Sequence, residues 1–249
     1  MPKRGTKLIK IPLLIFFLLV SCARLKQCAY EGLNRDQWQQ PDRVVESLQI
    51  HPGDQVADIG SGSGYFVFSL AKAVGPDGKV YAVDVDKEMN DLVAERARKS
   101  GIANVEVILA KTDDPSLPRT GVDLIFTSNT YHHIDDRVTY LTNLRKYLRP
   151  SGRVAVIDFD RRAWLEGMWK HYTPSEFIKR EMDQAGYSLQ HEFDFLDRQS
   201  FLIFAPKPPA LEPSKAPPVP TLAEASRQTS AVTASPYYLN YLREAWSHR

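Results

Sequence analysis

The residues of this chain best placed to do chemistry lie in a glycine-alternating turn that follows a short apolar run ending in an acid. Residues 56–64 read VADIGSGSG. Glycines at alternate positions let the backbone approach a ligand closely and adopt positive φ angles that other residues avoid. The G-x-G-x-G spacing differs from the G-x-G-x-x-G of dinucleotide sites, in which a helix N-terminus receives phosphates. With Asp58 two residues before Gly60, the turn favours a nucleoside ligand that carries a positive charge, such as an ammonium or a sulfonium group.

Two further apolar runs end in polar residues that could contact such a ligand. Residues 79–84 end at Asp84, about twenty residues after the turn, where a Rossmann-type fold places a carboxylate on ribose hydroxyls. Residues 104–109 form the next run, and a polar turn with Thr112, Asp113 and Asp114 follows it. The sequence Asp-Asp-Pro-Ser is also ordinary turn chemistry, so Asp113 is either a ligand contact or a structural turn residue.

A fourth run, residues 122–129, ends at Asn129, and Tyr131, His132 and His133 follow it. With these motifs the chain resembles the class I S-adenosylmethionine-dependent methyltransferases, and in particular their UbiE-like small-molecule branch, over residues 35–207. The resemblance implies S-adenosylmethionine as the cofactor and transfer of its methyl group to a small-molecule acceptor. In this family the acid that contacts adenine often stands slightly earlier, where this chain has Lys111. The residues that the resemblance implies for binding the cofactor are Asp58, Gly60, Ser61, Gly62, Gly64, Asp84, Asp113 and Asn129.

The two adjacent histidines are the candidate catalytic residues. Methyl transfer needs mainly alignment of donor and acceptor, and a general base helps when the acceptor is a hydroxyl or an acidic carbon. His132 and His133 follow the fourth strand at the carboxyl edge, where open α/β sheets bind ligands. The alternative is that the pair caps or packs under the next helix. His171 and Tyr172 are further candidates for the acceptor pocket.

The order of the apolar runs predicts an α/β fold. Helices are expected at residues 63–74, 87–99 and 174–185, and another carries an apolar stripe of Val138, Leu141, Leu144 and Leu148. Residues 153–158 form a fifth strand, and the link between strands 188–196 and 200–205 is too short for a crossover, so these two pair antiparallel. The resemblance implies a Rossmann-like, mostly parallel sheet of seven strands, with helices on both faces and an antiparallel last strand.

Both ends of the chain differ from a plain enzyme domain. Residues 1–28 combine basic residues, an apolar run over residues 11–20 and a Leu-Val-Ser-Cys sequence at Cys22, which is typical of a signal or lipoprotein-like leader. The leader predicts a membrane-anchored or exported protein, whereas a wrongly assigned start would make the protein cytoplasmic. Residues 29–207 are the predicted methyltransferase domain. Near its start, Trp38 is predicted either to cover the cofactor as part of a lid or to anchor the following helix in the core. Residues 208–249 are a proline-rich linker and a short C-terminal segment.

Composition limits the other function classes. With 249 residues, a net charge of +2 and no basic stripe, the chain is expected to form one domain and to bind no nucleic acid. Its two cysteines, Cys22 and Cys28, lie in or near the leader. The predicted domain therefore offers no cysteine metal site, and no bound metal is expected. Arsenic methylation that depends on cysteines is not expected either. The glycine spacing and Asp58 disfavour a NAD-dependent oxidoreductase. A membrane-tethered, non-catalytic protein that binds S-adenosylmethionine or another nucleoside is the alternative.

Overall fold

The computed structural model describes residues 34–163 and 172–208. The predicted leader, His171 and the predicted C-terminal segment from residue 209 onward lie outside these ranges. Within the described ranges, no helix is long and apolar enough to cross a membrane.

A seven-stranded sheet with the order β3-β2-β1-β4-β5-β7-β6 forms the centre of the fold. The pairs β1·β2, β1·β4, β2·β3 and β4·β5 are parallel, whereas β7 runs antiparallel to both β5 and β6. The predicted fold class, including the antiparallel last strand, is therefore confirmed. The strands are β1 (Gln55–Ile59), β2 (Lys79–Asp84), β3 (Val105–Leu109), β4 (Val122–Ser128), β5 (Leu148–Phe159), β6 (Tyr187–Phe193) and β7 (Gln199–Pro206).

Helices cover both faces of the sheet. The described helices are α1 (Arg35–Gln39), α2 (Pro41–Ser47), α3 (Val67–Val74), α4 (Lys87–Lys99), α5 (Arg137–Leu144) and α6 (Ser175–Gln184). One apolar core joins α2, α3 and α4 to the sheet through side chains such as Val44, Leu70 and Val93. A second core, on the opposite face, joins α5 and α6 through side chains such as Leu141 and Met182. Strands β1, β4 and β5 are buried between these layers, as their continuous apolar character predicts.

Several element boundaries differ from the sequence-based expectations. Helix α3 begins at Val67 rather than at residue 63, because left-handed φ angles at Gly62 and Gly64 keep the preceding residues in a turn. Helix α5 ends at Leu144, a 3₁₀ turn covers Arg145–Tyr147, and Leu148 is the first residue of β5. Leu148 pairs with Val122 of β4. Strand pairing therefore prevails over the helical spacing from which Leu148 was predicted to belong to the apolar stripe of the helix. Strand β6 ends at Phe193, three residues earlier than expected.

Candidate functional site

A cavity of about 360 Å³ lies at the carboxyl ends of β1, β2 and β4. Most of the predicted cofactor residues line it, together with several that the sequence did not single out. The predicted residues in its lining are Asp58, Gly60, Ser61, Gly62, Asp84, Asn129 and His133. The additional ones include Arg35, Tyr65, Val85, Lys111, Thr112 and Thr130. The carboxyl edge of the sheet therefore brings together the four motifs that the sequence places at strand ends.

The glycine turn is held against the end of β2. The backbone N–H groups of Gly60 and Ser61 both donate to the carbonyl of Val83, at 2.8 and 3.1 Å. Gly60 has a φ of +75°, and a Cβ on it would stand 2.0 Å from the Oγ1 of Thr130. Glycine is thus required here both by the backbone conformation and by the close approach of the β4 loop.

Gly64, the last glycine of the motif, has a different role from the two before it. A Cβ at this position would stand 3.0 Å from a methyl group of Val93 on α4 and 3.2 Å from the ring of Phe68. Its φ is +85°. The structure therefore places Gly64 in the packing between the turn and the helices, while the neighbouring Ser63 and Tyr65 line the cavity.

Asp84 connects the glycine turn to the end of β2. Its Oδ2 accepts a hydrogen bond from the N–H of Gly62 at 2.8 Å, and its Oδ1 accepts one from the N–H of Asp86 at 2.8 Å. The carboxylate lines the cavity and is 8% exposed. Each oxygen has a further lone pair, so the group can also accept hydrogen bonds from ligand hydroxyls.

Asp58 is a buried acid in the wall of the cavity, with 3% of its surface exposed. Burial raises its pKa to about 7, an effect that the Arg35 guanidinium opposes and the Asp84 carboxylate reinforces. Burial makes the ionised form of this carboxyl group unfavourable unless a positive charge lies next to it, so the site favours a ligand that carries one. This is the electrostatic property that the position of Asp58 in the motif predicts.

The loop after β3 forms another part of the wall through Ala110, Lys111 and Thr112. Asp113, the predicted adenine contact, is exposed in the same loop, and the cavity lining passes through Lys111 and Thr112 instead. The next residue, Asp114, is held by Lys146 at 2.9 Å and Tyr147 at 2.7 Å. Although burial opposes the shift, these hydrogen bonds lower the pKa of Asp114 to about 2.

Helix α1 covers one side of the cavity. Arg35 lines it, with the guanidinium carbon 3.8 Å from the centre of the Tyr65 ring. Asp36 accepts a hydrogen bond from the Tyr65 hydroxyl at 2.6 Å, and the fully buried Gln39 donates to the Ser128 hydroxyl at 2.8 Å.

The segment before α2 therefore borders the cavity, and Arg35 is the residue of this segment that lines it. Trp38, which the sequence left as either a lid or a core anchor, packs on Phe159 with a ring distance of 5.7 Å.

Asn129 lines the cavity from the end of β4 in a left-handed conformation, with a φ of 58°. Its N–H donates to the carbonyl of Ile157 at 2.9 Å, and its side-chain oxygen accepts a hydrogen bond from Gln199 of β7. Both contacts fix the residue against strands that follow it by many positions in the chain. Gln199 is fully buried and was not identified from the sequence.

The two candidate catalytic histidines lie in a 3₁₀ turn, Tyr131–His133, directly after β4. His133 lines the cavity, and the His132 ring lies beside it with 4.1 Å between ring centres. The Nδ1 of His132 is 2.7 Å from the Oδ1 of Asp158, the acid near the end of β5. Asp158 was not identified as a site residue, although an acid at the carboxyl end of a central strand is the same signal that identified Asp84.

Comparisons with known proteins agree with this geometry. Residues 50–194 match a family described as a methyltransferase domain. An arsenite methyltransferase from Halobacterium salinarum is 33% identical over 107 residues, which is 43% of this chain and 27% of that protein. The ubiquinone/menaquinone biosynthesis C-methyltransferase UbiE from Vibrio parahaemolyticus is 28% identical over 135 residues, which is 54% of this chain and 52% of that protein. The chain spans about half or less of the length of these curated relatives.

Among solved structures, a SAM-dependent methyltransferase from Aquifex aeolicus is similar with a TM-score of 0.66 and 26% identity, covering 71% of this chain and 94% of that one. The family match covers more than half of the chain, and it contains the glycine turn, the acids at the strand ends and the histidine pair. The predicted enzyme class is confirmed at this level: the chain belongs to the methyltransferase domain family, with the fold of the S-adenosylmethionine-dependent enzymes.

Proposed function

We propose that this protein transfers the methyl group of S-adenosylmethionine to a small-molecule acceptor. The observation that carries the proposal is the cavity at the carboxyl edge of the sheet, where a glycine turn, Asp58 and Asp84 converge. A nucleoside sulfonium ligand has the features that this wall can bind: ribose hydroxyls, an ammonium group and a carboxylate. Similarity to an arsenite, an O- and a C-methyltransferase supports methyl transfer, and it supports no particular acceptor.

In this proposal, different residues of the cavity wall contact different parts of the ligand. Asp84 would accept hydrogen bonds from the ribose hydroxyls, since its carboxylate is already oriented by two backbone N–H groups. Asp58 would face the ammonium group, and the Arg35 guanidinium would meet the carboxylate of the methionine part. Lys111 and Thr112 would lie along the base, in place of an acid at Asp113.

The chemistry itself requires alignment more than any reactive protein group. An acceptor held in line with the carbon–sulfur bond gains several kcal/mol from orientation alone, about 7 to 11 in favourable cases. In this proposal His132 and His133, which lie in the turn next to the cavity, supply the proton acceptor when the attacking atom carries a proton. Residues of the chain therefore orient both reactants, exclude water and receive one proton.

Calorimetry of the full chain with S-adenosylmethionine tests the cofactor assignment. Micromolar binding is expected for the wild type, and Asp84→Ala and Gly62→Val should abolish it. Gly101→Ala is the matched control, because Gly101 also has a positive φ but has open space around the position of a Cβ. NAD titrated in the same way should not bind.

Formation of S-adenosylhomocysteine with a panel of acceptors then tests turnover. Binding of S-adenosylmethionine without turnover on any acceptor would favour the membrane-tethered, non-catalytic alternative. Absence of binding to a folded wild-type chain would contradict the proposed function as a whole.

A further inference from the structure

A buried carboxylate stands behind one of the two candidate catalytic histidines. The Nδ1 of His132 and the Oδ1 of Asp158 are 2.7 Å apart, and the two side chains are 7% and 0% exposed. Asp158 lies near the carboxyl end of β5, where the antiparallel pairing with Ser200 of β7 fixes its backbone. The pair therefore links the turn after β4 to the antiparallel part of the sheet.

The second oxygen of Asp158 makes this pair unusual. Within the described part of the chain, the Oδ2 of Asp158 is buried and has no hydrogen-bond partner. Burying a carboxylate is costly unless hydrogen bonds or opposite charges compensate for it. Asp158 instead forms its side-chain hydrogen bond with His132, whose ring lies beside the cavity-lining His133. Stability alone does not explain this arrangement, since an apolar residue in place of Asp158 would avoid the desolvation penalty.

Hydrogen bonds connect the turn that carries His132 to α5 and α6. The Tyr131 hydroxyl donates to Glu181 of α6 at 2.7 Å, and the Arg137 guanidinium donates to both oxygens of the same carboxylate at 2.8 and 3.0 Å. Among the described residues, Tyr131 and Arg137 interact electrostatically with Asp158, Glu181 is hydrogen-bonded to both of them, and the His133 ring lies 4.1 Å from that of His132. The geometry between His132 and Asp158 is thus set by three packed elements.

We infer that Asp158 is a positioning residue that keeps the proton of neutral His132 on Nδ1, so that Nε2 is the proton acceptor for the methyl acceptor. In a neutral imidazole one nitrogen donates and the other accepts, and the hydrogen bond of the first decides the tautomer. The acceptor is then one whose attacking atom is a weak nucleophile until it loses a proton, that is, an alcohol, a phenol or an enol. This inference rests on the proposed function.

The proton and electron balance of the step is complete with these groups. The oxygen or carbon of the acceptor forms the new bond to the methyl carbon, while the sulfonium sulfur keeps the electron pair of the broken carbon–sulfur bond. The proton of the acceptor passes to the Nε2 of His132, and the Asp158 carboxylate stabilises the imidazolium that results. Water later removes this proton.

Nitrogen-15 NMR of the full chain with labelled histidine tests the positioning role without any acceptor. The two-bond correlations of His132, assigned by loss in His132→Gln, should show a proton on Nδ1 in the wild type. In Asp158→Asn this fixed tautomer should be lost, whereas Asp160→Asn, which neutralises an acid paired with Arg162, should leave it unchanged. A wild-type ring that carries its proton on Nε2 overturns the inference.

A panel of phenols and 1,3-dicarbonyl compounds, set against thiols, amines and arsenite, tests the acceptor class with labelled methyl groups. Transfer to the first set is expected, with kcat at least about 100-fold lower in Asp158→Asn, partly restored in Asp158→Glu, and unchanged in Asp160→Asn. The KM for S-adenosylmethionine should stay within about twofold, because a lost base affects the chemical step, whereas a merely structural change would also weaken binding. Transfer only to the second set, or none while S-adenosylmethionine binds, contradicts the inference; failure of S-adenosylmethionine to bind contradicts the proposed function.

Discussion

The raised pKa of Asp58 predicts that the affinity for S-adenosylmethionine depends on pH below neutrality. The acid has a pKa of about 7 in the folded chain, because burial disfavours its charged form. If the carboxylate receives the ammonium group of the ligand, only the ionised form binds well, and below pH 7 each binding event must first remove a proton. The affinity should therefore fall as the pH falls through this range.

The size of the effect follows from the fraction of Asp58 that is ionised. Between pH 7.0 and pH 5.5 the ionised fraction falls from about one half to about 3%, so the dissociation constant should rise about 16-fold. Above pH 7 the α-amino group of the ligand begins to lose its own proton, with an ordinary pKa of about 7.7 to 8.0, so the measurement ends at 7.0. Nearly one proton should be released per ligand bound at pH 5.5.

Calorimetry at four pH values, each in two buffers of different ionisation enthalpy, measures both quantities. Asp58→Asn should remove the pH dependence and weaken binding at pH 7.0 by at least about tenfold, since a charge-assisted hydrogen bond is lost. Ser61→Ala changes the same turn without changing a titratable group, so it should keep the wild-type slope. A wild-type dissociation constant that is constant within about twofold, or an equal slope in Asp58→Asn, would refute the assignment of the positive charge to Asp58.

Three further predictions concern the glycine turn, the loop after β3 and the leader. Gly60→Ala should abolish S-adenosylmethionine binding and lower the melting temperature well below that of Gly53→Ala, because the new methyl group collides with Thr130 only at the first position; equal melting curves would contradict this. Asp114→Asn should cost about 1 kcal/mol at pH 7, after allowance for solvent screening, and only a small part of this at pH 2, because the carboxyl with a folded-state pKa of about 2 is then half protonated; urea denaturation at both pH values measures it. Mass spectrometry of membrane and soluble fractions should detect a lipid on Cys22, and an unprocessed N-terminus would contradict the predicted leader.

Local signals in the sequence predicted most of the fold. Helix α4 has the expected bounds, because Asp86 accepts hydrogen bonds from the N–H groups of Glu88 and Met89 and so fixes its start. The short link before β7 predicted the antiparallel pair, since it leaves no room for a crossover. In contrast, Leu148 fits a helical stripe and still begins β5, because its partner Val122 belongs to a distant strand.

The candidate site shows the same division. Glycines and acids that end apolar runs were identified because the carboxyl edge of a sheet collects them, whatever the details of packing. Arg35 and Gln199 were missed because their roles depend on which distant side chain lies opposite them, whereas Asp158 has the same strand-end position that identified Asp84. A single arginine at the start of a helix or a glutamine at the start of a strand has no local pattern that distinguishes it from a surface residue.

The two hydrogen bonds of Asp84 have a thermodynamic consequence for the binding of any ligand. Because the N–H groups of Gly62 and Asp86 already hold both carboxylate oxygens, the side chain has a single orientation before a ligand arrives. Binding therefore costs little conformational entropy at this residue, and the turn opposite needs no folding step to meet the ligand. The same arrangement means that replacing Asp84 removes a ligand contact and also the hydrogen bond that holds the glycine turn. The loss in affinity would therefore report the combined contribution of Asp84 and the turn, and not that of one hydrogen bond.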